Sequence, residues 1–507
     1  MRKGGTKKLN LAIGTKIAED RGMMLDLLNI LTYMSSIATA NITRDKLFKL
    51  AGQQEGLSAK YFKRIHLLAK NYGYNYAAAC KIVSAEVSHQ ALKDFLIRFA
   101  NALSTGEEEA IFLRGEVERM IELYTNKYLS DVELMKKWTD GYSALLVSVV
   151  LIIAVFLIGN MIFNMGDTVF MSCLSAYLFC FVSFMGAYII YRVCPYEKIV
   201  HSLKVKSREQ ELARRMCIVI FPILGITSLI LVAIDAEPWL IFALVSVLLA
   251  PIGVMGMIDA KKIDTLDRDI STFLQSLGSA AGITGSTLTV AINQLDKKSV
   301  GTLEGYLEKL HKRLINQIKP ATCWYHFRGE TGSELINHST TVFLDAIELG
   351  GDATKIGAVV AHSSLGISLL RAKRKLISNG FVSLVVPLHA TMSGVLLFIY
   401  EIIYSFNIAM AQMMAERTDE ISGASGSMPV GMGLFNISAS TDLAFLAKYV
   451  TIIIFISTVA NALASKFAAG GSNYKLCFYL SLLFLTSAII LFVMPIVGDK
   501  LFMLQTE

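Results

Sequence analysis

Charge is what this sequence has least of. Only 18% of its 507 residues are Asp, Glu, Lys or Arg, against 54% hydrophobic, and the mean hydropathy is +0.52. A water-soluble domain does not usually carry that balance, and long runs with almost no charge point to membrane helices. Cysteine is scarce and unpatterned. Cys80, Cys173, Cys180, Cys194, Cys217, Cys323 and Cys477 are seven in number and contain no CxxC. They read as reduced, mostly packed thiols rather than a disulfide framework or a metal site. The histidines (His66, His89, His201, His311, His326, His338, His362 and His389) are dispersed and form no ligand cluster in sequence.

Nucleotide and hydrolase signatures are missing as well. No GxxxxGK[ST] occurs. The run Gly350-Gly351-Asp352-Ala353-Thr354-Lys355-Ile356-Gly357 lacks that spacing and reads as a turn between helices. HExxH, GxSxG and paired catalytic carboxylates are absent too, so the chain is not read as an enzyme and no cofactor is expected. The start, Met1-Arg2-Lys3-Gly4-Gly5, is basic without an apolar stretch behind it, so no cleavable signal peptide is expected.

What is present is a series of apolar runs of about 20 residues, the length that crosses a bilayer. They fall near 143–163, 168–191, 216–234, 239–258, 381–403, 445–465 and 474–496, predicting seven transmembrane helices in an all-α chain. The linker Asn164-Met165-Gly166-Asp167 has no Lys or Arg, and Asp235-Ala236-Glu237-Pro238 is acidic. The 192–215 loop instead carries Arg192, Lys198, Lys204, Lys206, Arg208, Arg214 and Arg215. Basic loops stay inside, which assigns 1–141, 192–215 and 259–377 to the cytoplasm. The N-terminus is then cytoplasmic and the C-terminal tail, 498–507, external. The Met-rich segment 406–443 (Met410, Met413, Met414, Met428, Met432) also falls outside, with a glycosylation sequon at Asn436-Ile437-Ser438.

The polar stretches between these spans carry helical spacing, as in Leu25, Leu28 and Leu31 or Ile111, Val117, Ile121 and Tyr124. They also repeat. Leu27 to Leu31, Ala40-Asn41-Ile42, Gly106 and the basic Lys136-Lys137 before the first span have counterparts in Phe273 to Leu277, Gly285-Ser286-Thr287-Leu288, Gly350-Gly351 and Arg371-Ala372-Lys373-Arg374-Lys375. The offset between them drifts from about 246 to about 239, as between two copies with small indels. Four domains follow: a helical unit at 1–141, four spans at 142–258, a second helical unit at 259–377 and three spans at 378–497.

The candidate working surface is charged. Lys204, Lys206, Arg208, Arg214 and Arg215, with Arg371, Lys373, Arg374 and Lys375, would face anionic lipid or an acidic partner. Glu107, Glu108 and Glu109 form either a solvated helix cap or a partner contact. Inside the spans, His389 and Glu401 are the notable ionisable residues. His389 is expected as a packed or hydrogen-bonded residue rather than a proton relay, and Glu401 at the outer interface.

Each helical unit resembles the cytosolic F domain of type II secretion and type IV pilus platform proteins, on its leading apolar helix, small-residue turn, later glycine turn and basic helix feeding a span. Two such units with four and three spans are similar to the archaeal members, represented by the archaellum assembly platform. The resemblance implies a platform in the cytoplasmic membrane that couples a hexameric secretion ATPase to assembly or rotation of a filament. Its implied partners are that ATPase, pilin-like or archaellin subunits, lipid and a second copy of the chain, without nucleic acid. The competing reading, a secondary transporter or channel, would duplicate the membrane bundle; here the polar units repeat and the bundles differ.

Overall fold

The structure, a computed structural model, describes residues 22–163, 168–285, 287–295, 297–421 and 441–503. They form sixteen α-helices, a 3-10 turn at Lys297–Leu303 and, instead of strands, one isolated bridge between Val200 and Ser333. All-α is therefore the fold class of the described residues. Among the described residues, seven helices are long and apolar enough to cross a membrane. The chain divides into two compact units. One comprises Met1–Val132, Pro195–Glu211 and Ile258–Arg374; the other comprises Glu133–Cys194, Leu212–Met257 and Lys375–Glu507.

The first unit opens with α1 (Gly22–Ala38), α2 (Arg44–Ala51), α3 (Ala59–Tyr72), α4 (Tyr76–Glu86), α5 (Gln90–Thr105) and the start of α6 (Glu109–Phe163). Local chemistry sets these ends. Thr43 accepts from the Lys46 N–H and Asn75 from the Ala77 N–H, satisfying donors the helix leaves bare. Gly106 stops α5 at φ 77°, where a side chain would be strained. The core is aromatic: Phe99 stacks on Phe48 and Phe112, and Phe95 packs against Phe62 and Phe99. On α6, Val117 and Tyr124 are buried as their spacing predicts, but Ile111 is exposed, because the first turn of α6 lies at the edge of that core.

The same order returns in the second half of the unit. The end of α9 (Pro238–Thr284) leads to α10 (Leu288–Gln294), α11 (Glu304–Ile315), α12 (Pro320–Thr331), α13 (Glu334–Glu348) and α14 (Ala353–Ile421). The starts of α10, α12, α13 and α14 lie 244 positions after those of α2, α4, α5 and α6, and α11 lies 245 after α3. Left-handed backbone recurs at the same step: Asn41 with Gly285, Gly73 with Gln317, Gly106 with Gly350. One capping device recurs too. Asp26 of α1 accepts from the Ser58 N–H (2.6 Å) and hydroxyl, and Asp269 of α9 accepts from the Thr302 N–H (2.7 Å) and hydroxyl. This spacing is steadier than the drifting offset read from residue types.

The second unit holds the rest of α6, α9 and α14 with α7 (Thr168–Val193), α8 (Arg208–Ala233), α15 (Thr441–Ala469) and α16 (Lys475–Met503). Small residues let backbones close on one another, as membrane helices require where apolar burial gives little drive. A Cβ on Gly253 would meet the backbone of Phe478, and one on Gly256 the backbone of Tyr474, so α9 and α16 touch closely. Ser246 and Ser481 cross-bond in that interface, each hydroxyl donating to the other's carbonyl at 2.8 and 2.9 Å. Pro222, Pro251, Pro387 and Pro495 sit inside continuous helices. Helix α14 runs on to Ile421, so the segment expected at 406–443 begins as its continuation. The remainder of that segment, with Asn436, lies outside the described residues. Glu401 is buried, with its side chain against Gly498.

A buried polar cluster surrounds His389 in this unit. Its Nε2 faces the hydroxyls of Ser487 (2.8 Å) and Thr458 (3.3 Å). Both hydroxyls give their own protons to backbone carbonyls one turn back, so they accept here and Nε2 carries the hydrogen. Nδ1 takes the amide of Asn461 (3.3 Å), whose oxygen accepts from Tyr142 (3.0 Å). Helices α6, α14, α15 and α16 are thereby joined through one neutral imidazole.

Candidate partner-binding surface

The segment 195–211 is basic in sequence, and its one early acid, Glu197, turns out to organise the first unit. Glu197 is 5% exposed. It accepts the Tyr128 hydroxyl of α6 and lies 3.8 Å from Arg371 and 3.7 Å from Arg374, both on α14. A carboxylate withdrawn from water is tolerable only with such compensation. Arg371 also donates to Asp267 of α9 at 2.7 Å, and Asp267 accepts from Ser333, the N-cap of α13. Burial outweighs both partners and pushes the Asp267 carboxyl up to about 6. Arg374 donates to the Pro195 carbonyl at 3.1 Å.

Further along, the segment is stitched to α12 and α13. Lys198 pairs with Glu334 at 2.9 Å, and the Glu334 N–H reaches the Ile199 carbonyl at 2.9 Å. His201 is buried with Nε2 on the Gly329 carbonyl (3.0 Å) and Nδ1 accepting from the Leu203 N–H (3.2 Å). This fixes a neutral ring, and burial depresses its pKa further. Gln210 and Ser207 then hold Asp259 at 3.2 and 3.1 Å.

Among the residues singled out by sequence, Arg371 and Arg374 are thus committed to contacts inside the unit. Lys204, Arg208, Arg214, Arg215 and Lys373 are exposed, and Lys375 is half-buried. Lys206 turns its ammonium to the His201 carbonyl at 2.8 Å. Glu107 and Glu108 are exposed ahead of α6, while Glu109 opens α6 and pairs with Arg44. Sequence reasoning passed over Glu197, Asp267 and His201. The available signal was Glu197 itself, an acid set among Arg192, Lys198, Lys204 and Lys206.

Beside this network lies a cleft of about 530 Å³ with a mixed polar and apolar lining, walled by α1, the turn at 53–57, residues of the 196–203 segment, and α12, α13 and α14. Tyr33 stands in its wall, bonded to Asp345 and Gln54.

Comparison with known proteins adds the decisive observation. A 374-residue stretch covering 70% of the chain is 24% identical to Flagella accessory protein J of Methanocaldococcus jannaschii. By sequence, the chain is similar to Flagella accessory protein J. The protein of that name from Methanococcus voltae is 21% identical over 471 residues, 90% of this chain and 81% of the relative. The chain covers 65% of the length of the M. jannaschii protein, just under two thirds. No family model and no solved structure matches.

Proposed function

We propose that the chain is the membrane platform of an archaellum or related type IV pilus-like machine, coupling a cytosolic ATPase to assembly or rotation of a filament of pilin-like subunits. The carrying observation is the likeness to two proteins named Flagella accessory protein J over most of the chain, together with seven spanning-length helices. On this reading the helices that recur at a step of 244 are two F-type domains, one at 1–141 and one at 259–377. Both are cytoplasmic, as is the 192–215 loop, with the C-terminus outside. The spans form the base on which subunits are inserted, in a homodimer. The exposed cations Lys204, Arg208, Arg214, Arg215 and Lys373 supply contacts to the ATPase or to anionic lipid, and Glu107 and Glu108 supply an acidic contact to the ATPase. Energy comes from the partner, so no enzymatic step is assigned to this chain.

The test is copurification of the full chain, in mild detergent at low salt, with the hexameric secretion ATPase of the same cell, alongside ATP hydrolysis with and without the chain. Association that weakens as salt rises, with no hydrolysis by this chain alone, supports the platform. Absence of association under those conditions removes it. Topology is checked separately by placing single cysteines at Lys204 and Glu237 and labelling intact cells with a membrane-impermeant thiol reagent. Labelling at 237 and protection at 204 is the expected pattern.

A further inference from the structure

Helix α7 has two faces of different kind. One packs into its own unit: Ser172, Phe179, Ser183, Ala187 and Ile190 are buried, Ser175 bonds Tyr449 of α15 at 2.6 Å, and a Cβ on Gly186 would strike the Tyr142 ring of α6. The other face is open, and its large side chains keep a strict count. Phe170, Leu174, Tyr177, Phe181, Phe184 and Tyr188 are exposed and follow one another at steps of 4, 3, 4, 3 and 4. Tyr191 extends the series but packs on Phe467 of α15 at 5.0 Å. Met171, Leu178 and Met185, also exposed, flank the row at a heptad interval.

A helix that meets only lipid tails needs an apolar surface and no particular period. A seam spaced at 3.5 residues is what a second helix demands, because slight left-handed winding then keeps the same side chains in contact along the whole length. Nor is this seam purely apolar. Tyr177 is 67% exposed, and its hydroxyl has no partner among the described residues. It stands well inside the span, about 14 Å along the axis from Thr168 at roughly 1.5 Å per residue, where no water serves it. Tyr142 and Tyr449 of the same unit, by contrast, are bonded to Asn461 and Ser175.

These features select the occupant. Copies of one chain inserted in one membrane lie parallel, and a two-fold axis along the membrane normal sets each seam residue against itself. Tyr177 then meets its own counterpart, and a phenol is both donor and acceptor, so the pair is self-complementary. Rings also meet rings, which favours offset stacking. The area suffices: at about 200 Å² per aromatic side chain, roughly half of it exposed, the seam and its flanking residues offer on the order of 800 Å² per copy, the size of a stable interface.

We propose that the open face of α7 is the seam of a parallel homodimer within the membrane, in which the two Tyr177 hydroxyls bond each other. This deepens the function proposed above and rests on its homodimer alone, not on its ATPase contacts.

The experiment uses the full chain in membranes, carrying Cys173→Ser, Cys180→Ser and Cys217→Ser; the other four cysteines are buried. Single cysteines are then introduced and oxidised with copper phenanthroline. Leu174→Cys, Tyr177→Cys, Phe181→Cys and Phe184→Cys should give a disulfide-linked product at twice the 55.7 kDa of the chain, and Ser175→Cys and Val182→Cys little. Equally strong linking at Ile226→Cys or Leu229→Cys, exposed on α8, means random collision and overturns the proposal. A product that adds less than the mass of the chain means that a different protein occupies the seam, and overturns it too. Energy transfer between donor- and acceptor-labelled chains in phosphatidylcholine vesicles then gives the affinity. Tyr177→Phe should weaken association about threefold, the worth of one membrane hydrogen bond of roughly 0.6 kcal/mol, and Phe181→Leu about 2- to 10-fold. Unchanged affinity in both variants overturns the seam. Energy transfer that persists with no linking at any α7 position also overturns it, while leaving the homodimer itself in place.

Discussion

Arg371 and Asp267 meet at 2.7 Å although they stand on different helices, α14 and α9, and are 11% and 4% exposed. The pair links the basic run at the end of the second helical repeat to the helix that opens it. Removing one partner strands the other. Asp267→Ala should lower stability by about 3–5 kcal/mol, whereas Asp267→Leu with Arg371→Leu should cost much less, because neither charge is then buried alone. Thermal unfolding of the two variants in detergent checks the difference.

Glu197 gathers Tyr128, Arg371 and Arg374 around one carboxylate. Glu197→Gln keeps the shape and removes the charge. It should release the 195–203 segment from the unit, seen as faster amide hydrogen exchange there, while exchange in α4 and α5 stays slow. Uniform protection in the variant would mean that Lys198 and His201 suffice to hold the segment.

His201 gives the first unit a pH dependence of definite sign. Its folded pKa lies below the ordinary 6.5, because burial disfavours the cation and Lys206 and Lys198 add repulsion against some help from Glu334. The unfolded chain therefore takes up the proton first as pH falls. This contribution is complete above 6.5 and is lost progressively on acidification below it. His201→Gln, which can keep one of the two bonds, should be less stable at pH 7.5 but show a flatter decline between pH 7 and 5. Melting curves across that range decide it.

His389 is predicted to act as a fastener between spans. Membrane hydrogen bonds average roughly 0.6 kcal/mol each, so His389→Ala should cost on the order of 1–2 kcal/mol, and His389→Asn somewhat less. Detergent unfolding measures this directly. A disulfide introduced between neighbouring α14 and α15 positions should then form less efficiently in the alanine variant.

The backbone of the turns supplies a fifth comparison. No atom lies within 4 Å of where a Cβ would stand on Gly106 or Gly350, so an alanine there meets only the left-handed φ. Each replacement should destabilise by about 1 kcal/mol. Gln317 already occupies such a φ at 58°, and Gln317→Gly should stabilise by up to about 1 kcal/mol. Opposite signs in thermal unfolding are the expected result.

The seven spans were legible because a helix that crosses lipid must be apolar for about 20 residues whatever else surrounds it. The far end of α14 was not, since past Phe406 its pattern turns polar and methionine-rich while the helix goes on. His389 was correctly read as hydrogen-bonded, since an imidazole between Pro387 and a long apolar run needs partners. The cluster at Glu197 was hidden for a different reason. A basic run such as Arg371 to Lys375 looks solvated along the chain, and nothing local says that its counter-charge lies 104 positions earlier at Asp267. Ile111 fits the helical stripe by spacing yet faces water, because periodicity gives a face but not where its packing partners end.

The recurring turns carry one more consequence. Asn41 answers Gly285 and Gly73 answers Gln317, so the two halves keep the handedness of the chain where they have changed its letters. A search scored by residue identity discounts those positions as mismatches. One scored by the sign of φ ranks them among its strongest agreements, and is the better instrument for finding further chains built on this plan.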